Sequence, residues 1–266
     1  MHYTLPQWIL FFFIYCFFGW CIESAIVSVE TKKLTNRGFL RGPVLPIYGF
    51  GAIAILHSTL PFEGNLFMEY LVGTLVCTVL EYFAGVLMEA IFKTRYWDYS
   101  GRFMNFQGQI CLRSSLFWGV LSLVLIHVVH EPISKLLLHY IHPGFVLSLD
   151  IILSALFFAD LYFSAKAAFK LSKIVQALDE INVQLELAKI EARDAIDDRI
   201  EELEDRLDEL SGDLRRRVEE LRARREEVLK TAGAAVRSLI KNNPSARHRR
   251  FAKGFDTLRD YVHRVR

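Results

Sequence analysis

The chain has 266 residues, 52% of them hydrophobic, and a net charge of +2 from 32 Lys/Arg and 30 Asp/Glu. That length alone allows one or two soluble domains, but long uncharged runs exclude a wholly soluble protein. The total charge says little, and its distribution says more: residues 1–170 carry 11 basic and 10 acidic residues, and the shorter remainder carries 21 and 20.

Five apolar runs follow in order, at 5–27, 44–62, 66–92, 110–129 and 145–169. A hydrocarbon core of ~30 Å needs about 20 apolar residues as a helix, and helices satisfy their own backbone hydrogen bonds in lipid. The pattern predicts an all-α, polytopic membrane bundle of about five spans, continuing into a long cytoplasmic coiled-coil helix. The second run is the shortest, carries Pro46, Gly49 and Gly51, and either spans or re-enters. The first run has no basic stretch before it, exceeds a signal-peptide core and lacks an Ala-x-Ala-like end, so it reads as a span.

Basic residues cluster after the first run (Lys32, Lys33, Arg37, Arg41) and after the third (Lys93, Arg95, Arg102, Arg113). The positive-inside rule places those loops in the cytoplasm, with the N-terminus outside and the C-terminus inside a cell membrane. Cys16, Cys21, Cys77 and Cys111 lie in or beside spans and read as small buried residues rather than disulfides or zinc ligands.

The membrane domain is expected at 1–170, a stalk at 171–232 and a basic amphipathic tail at 233–266. No Gly or Pro occurs from 145 to 211, so one helix is free to run for about 100 Å. Ile196, Ile200, Leu203, Leu207, Leu210, Leu214, Val218 and Leu221 form a seam of fours and threes, a coiled-coil repeat with a stutter. The stalk is acidic before Asp213 and basic after it, which favours antiparallel pairing. Folding back at Ser211-Gly212-Asp213 gives an intramolecular hairpin, and head-to-tail pairing gives a homo-oligomer. The tail from Ser245 to Val262 reads as an amphipathic helix, with Phe251, Phe255, Leu258 and Val262 on one face. It suits either anionic lipid or docking on the stalk. No nucleic-acid recognition fold accompanies it.

Polar residues inside the runs mark candidate chemistry. Tyr15, Gly19 and Glu23 share one helix face, as do Thr74, Thr78, Glu81, Gly85 and Glu89. A carboxylate in lipid is costly, so both stripes should face protein or a wet cavity, with Arg37, Arg41, Arg102 and Arg113 as partners. Two loops rich in turn-formers and aromatics close over them. The substrate-binding candidates are Glu23, Asn36, Arg37, Tyr48, Glu81, Trp97, Asp98, Asn105 and Arg113. His127 and His130, with Glu131, His139 and His142 nearby, are expected to be interfacial rather than metal ligands. Asp150 and Asp160 lie about 80° apart on a helix and do not pair; Asp160 meets Lys166 or another helix. No cofactor and no metal is implied.

These stretches resemble the putative ABC-transporter type IV membrane family. The likeness rests on Tyr15-x-x-x-Gly-Trp-x-x-Glu23, the Asn-Arg-Gly-Phe-Leu-x-Gly-Pro block at 36–43 and Pro-Ile-Tyr-Gly-x-Gly at 46–51. It extends through Leu80-Glu81-Tyr82 and Trp-Asp-Tyr-Ser at 97–100, then Asn105, Gly108 and Ile-Cys-Leu at 110–112. It covers about residues 8–130 and not the stalk. Gln109 stands where the resemblance leads one to expect Arg, so a charge contact is missing there. The resemblance implies a transporter membrane component. The chain has no Gly-x-x-x-x-Gly-Lys-[Ser/Thr] loop, so an ABC-type mechanism requires a separate ATPase subunit. A membrane-anchored coiled-coil scaffold or sensor ranks second. A membrane-embedded lipid enzyme, with Glu23 or Glu81 as base, ranks third.

Overall fold

The structure, a computed structural model, describes residues 3–197, 204–248 and 250–264, without the side chains of 138, 140, 192–197 and 204–211. Among them the only pairing outside helices is a bridge between Phe106 and Ile110. The helices are α1 (Leu5–Thr31), α2 (Pro46–Thr59), α3 (Leu66–Phe92), α4 (Leu112–Val124), α5 (Glu131–Tyr140), α6 (Pro143–Asp197), α7 (Glu204–Lys230), α8 (Ala234–Asn242) and α9 (Ala252–Arg264). A π-helical turn, Leu125–His130, joins α4 to α5. The chain forms two units, Met1–Lys166 with Asn242–Ala246, and Ala167–Lys241 with Arg247–Arg266.

Among the described residues four helices, not five, are long and apolar enough to cross a membrane: Leu5–Thr31, Leu66–Phe92, Leu112–Leu137 and the start of α6. The 14 residues of α2 reach only about 21 Å, short of a ~30 Å core. The second run, read as either spanning or re-entering, is too short to span as a helix because Pro46 starts it late, where its fixed φ suits a first turn. The loop before α2 makes up the distance. Leu45 N–H donates to the Cys16 carbonyl at 3.0 Å, so α2 begins halfway along α1. It ends near the start of α1, where the His57 ring lies 4.4 Å from that of Trp8. The C-terminal ends of α1 and α3 therefore share one end of the bundle, with the Phe39 ring 5.0 Å from that of Phe92.

The two faces of α3 show how sequence chose burial. Leu71, Leu75, Val79, Phe83 and Leu87 are exposed, whereas Glu69, Gly73, Cys77, Glu81 and Gly85 are buried. Each four-residue row winds about 40° per step around the axis and stays opposite the other row at the same height. The apolar face suits lipid and the polar face meets protein, as the cost of an intramembrane charge requires.

In the second unit Leu171, Ile174, Val175, Leu178 and Ile181 of α6 are buried. So are Leu221 and Leu229 of α7, Val236, Leu239 and Ile240 of α8, and Phe255, Leu258 and Val262 of α9. The expected amphipathic tail starts at Ala252 rather than Ser245, and its apolar face is covered by protein, not left for lipid. Gly254 fits there because a side chain would strike the Val175 carbonyl, while its N–H donates to Asp179 at 3.0 Å. Burying Phe255 and Leu258 contributes ~1.5–3 kcal/mol each.

Helix α7 runs through Ser211, Gly212 and Asp213, so no fold-back occurs at the expected turn. Of the seam, Ile200 and Leu203 lie outside the described residues, as do the side chains of Ile196, Leu207 and Leu210. Leu214 and Val218 are half-buried and Leu221 is buried. Glu191 of α6 and Arg217 of α7 lie 3.4 Å apart, acid against base.

Candidate functional site

The loop after α1 folds back along the helix that precedes it. Thr35 N–H donates to Ser28 Oγ at 2.9 Å and Arg37 N–H to Ser24 Oγ at 3.1 Å. Trp20 Nε1 donates to Asn36 Oδ1 at 2.6 Å, and Asn36 Nδ2 donates to the Arg41 carbonyl at 2.7 Å. Asn36 thus clamps the loop to α1. Gly38, at φ +127°, supplies a turn that side chains resist. These contacts hang the Arg37 guanidinium beside Glu23, with Nε 3.8 Å from Oε2.

Helix α2 contributes Tyr48, whose hydroxyl donates to Glu23 Oε1 at 2.9 Å. The reach depends on Gly19, where any Cβ would collide with the Tyr48 side chain. The Tyr48 ring then lies 5.0 Å from that of Trp118 of α4, which leads to the second acid. Glu81 accepts from Tyr99 Oη at 3.1 Å, Ser114 Oγ at 2.9 Å and Trp118 Nε1 at 3.2 Å. It is 4% exposed, so three donors replace the water it lacks.

Arg37 links this cluster to a distant part of the chain. Its NH1 donates to Asn243 Oδ1 at 2.7 Å and its NH2 to the Tyr96 carbonyl at 3.4 Å. Asn243 Nδ2 donates to the Gly38 carbonyl at 2.9 Å, and Ser245 Oγ donates to the Tyr96 carbonyl at 3.4 Å. Asn243 is 3% exposed. The segment Asn242–Ala246 is therefore built into the wall beside Glu23. Burial lowers the Arg37 pKa, and the Glu23 carboxylate opposes that shift; a guanidinium stays charged regardless. Burial, then Glu81 and Glu23, raise the Tyr99 phenol, which keeps it an O–H donor.

A neighbouring knot surrounds Glu89. Arg95 Nε and Gln109 Nε2 both lie 2.7 Å from Glu89 Oε2. The charge contact that Gln109 does not supply comes from Arg95, and the amide serves as a neutral donor. Trp97 Nε1 donates to the Gln109 carbonyl at 2.9 Å, and both residues crowd Gly85. Asp98 accepts from Ser100 N–H at 3.0 Å and lies 3.9 Å from Arg95. Asn105 donates to the carbonyls of Ser100 and Arg102 and accepts from Gly108 N–H, so it pins the loop.

Of the nine candidates, Glu23, Arg37, Tyr48 and Glu81 come together. Asn36, Trp97, Asp98 and Asn105 are engaged in shaping the two loops. Arg113 is exposed and makes no ion pair with either acid. Arg41 is likewise elsewhere: its N–H and that of Gly42 hold Asp160 at 2.8–3.2 Å, and Ser164 completes the set at 3.2 Å. Tyr99, Ser114 and Trp118 were not singled out as binding residues by sequence, nor was Asn243. The first two lie in blocks that sequence marks as structured, but nothing marks the last.

At the other end of the bundle, His127 Nε2 lies 2.6 Å from Glu69 Oε2. His130, fully buried, sits between Tyr15 Oη at 2.6 Å from Nδ1 and Tyr3 Oη at 3.1 Å from Nε2. No group of three His, Cys, Asp or Glu side chains suited to a metal occurs among the described residues.

A family model described as putative ABC-transporter type IV matches residues 10–165, more than half of the chain, and includes the Glu23–Glu81 cluster apart from the Asn242–Ala246 segment. No curated protein matches, and no solved structure matches.

Proposed function

Because the chain belongs to the putative ABC-transporter type IV family, we propose that it is the membrane component of a transporter, with a polar substrate site at Glu23, Arg37 and Tyr48. The observation that carries this reading is the looseness of the Glu23–Arg37 pair. At 3.8 Å it is longer than a charge-assisted hydrogen bond, and the Glu23 side chain is 32% exposed beside an Arg37 that is 12% exposed. Glu81, saturated by three donors, serves as the fixed anchor of the wall. A ligand with its own donors or acceptors can enter between Glu23 and Arg37 without unmaking the Glu81 knot.

The basic loops at 32–41 and 93–113 favour a cytoplasmic position for this end of the bundle, with the N-terminus outside. The second unit then lies in the cytoplasm. Its Glu191–Arg217 contact supports an intramolecular antiparallel coiled coil, a surface suited to a separate ATPase subunit. A scaffold role is the second reading, favoured by the second unit's own apolar core.

Co-purification from native membranes followed by ATP turnover in nanodiscs tests the proposal. An ATPase should accompany the chain, and its turnover should depend on it. Glu23→Gln and Arg37→Gln should lower that turnover while the ATPase remains bound. Turnover untouched by either change favours the scaffold; absence of any ATPase removes the transport reading.

A further inference from the structure

The guanidinium of Arg113, which sequence assigned to the acids, belongs instead to a groove with Arg102. A cavity of about 400 Å³ is lined by Arg102, Phe103, Leu112, Arg113 and Leu116. We propose that this groove binds the phosphodiester head of an anionic membrane lipid, with Phe103, Leu112 and Leu116 against the upper acyl chain.

Three observations converge. The cavity lies where the span Leu112–Leu137 begins, the depth at which lipid phosphates meet hydrocarbon. Its charge is wholly positive, and neither guanidinium has an ion-pair or hydrogen-bond partner among the described residues. Both side chains are exposed, so their guanidinium groups are open to a ligand. The rest of the lining is apolar and open, with Phe103 79% exposed and Leu116 45% exposed. A free anion would leave that apolar surface in contact with water. A lipid covers it while its phosphate takes both guanidinium forks, which match phosphate oxygens in pairs.

The groove is held in place rather than draped. Arg102 N–H donates to the Tyr99 carbonyl at 2.8 Å, and Asn105 Nδ2 grips the Arg102 carbonyl at 3.0 Å. Arg113 directly precedes Ser114. Tyr99 and Ser114 are both donors to Glu81, so the groove and the Glu81 knot share their supports. The lipid site nonetheless stands whether or not Glu23 binds a transported substrate.

The test uses the full chain in detergent, loaded with equal phosphatidylglycerol and phosphatidylcholine, and reads retained lipid by native mass spectrometry. Phosphatidylglycerol should be retained preferentially. Each arginine near anionic lipid contributes about fivefold in binding, so Arg102→Gln with Arg113→Gln should cut that preference roughly 20- to 30-fold. The paired Lys substitutions should keep most of it, which separates lost charge from lost fold. Millimolar inorganic phosphate should not displace the lipid. A double Gln variant with unchanged preference overturns the assignment, as does displacement by free phosphate, which would make the groove a simple anion site.

Discussion

Replacing Glu81 by Leu should destabilise the bundle by about 2–5 kcal/mol. The figure follows from the three donors converging on its carboxylate. Side-chain hydrogen bonds inside membrane proteins average ~0.6 kcal/mol and reach ~1.7 kcal/mol, and three of them span that range. Leucine fills similar space, so the loss reads the hydrogen bonds rather than a cavity. The donors differ in how well they adapt. The Tyr99 and Ser114 hydroxyls rotate to other acceptors, but the Trp118 indole is fixed by its packing against Tyr48 and is stranded. Glu81→Gln should cost less, about 1 kcal/mol. Its amide oxygen still takes Ser114 and Trp118, while Tyr99 turns to accept from the amide nitrogen. Unfolding in mixed micelles, followed by tryptophan fluorescence, gives both values. A double-mutant cycle of Glu81→Leu with Trp118→Phe should show coupling of at least ~0.5 kcal/mol. A leucine variant as stable as the parent, or a cycle with no coupling, would refute the view that Glu81 is held by these donors.

Two further outcomes follow from groups at opposite extremes of satisfaction. Asn243→Ala removes both the acceptor of Arg37 and the donor to the Gly38 carbonyl; it should cost about 1–3 kcal/mol and raise hydrogen exchange around Asn242–Ala246, and unchanged exchange would contradict the contact. Asp150 of α6 is 4% exposed, and neither carboxyl oxygen has a hydrogen-bond partner among the described residues, so Asp150→Leu should raise thermal stability by about 1–3 kcal/mol. A lower melting temperature in that variant would mean the acid holds something that the protein atoms alone do not reveal.

How much of this was legible in the chain depends on how far apart the partners lie. The stripes on α1 and α3 were readable because a helix repeats every 3.6 residues and lipid penalises charge, so Glu23 and Glu81 had to face protein. Their company was not readable. Which donor meets Glu81 depends on how tightly the 93–111 loop turns, and that is decided by Asn105 and by Gly108 at φ +70° rather than by periodicity. Arg113 shows the error this causes. Sign and proximity in sequence suggested an acid partner, but Ser114, one residue later, points inward to Glu81, and about 100° of helix rotation turns Arg113 outward. Asn243 had no signal at all, being 206 residues from Arg37.

The blocks that carry the family resemblance divide on the same principle. Asn36, Trp97, Asp98, Asn105 and Gln109 spend their polar groups on one another and on nearby backbone. A residue whose donors and acceptors are filled by the protein has little left to offer a ligand, because a new contact must first break an old one. Residue identity in a motif therefore says which loop shape is being built, and unspent hydrogen-bonding capacity says where a ligand can be held. By that criterion the wall between the two loops is scaffold, the proposed substrate contact rests on Glu23, whose Oε2 has only the loose Arg37 contact, and the proposed lipid contact rests on Arg102 and Arg113.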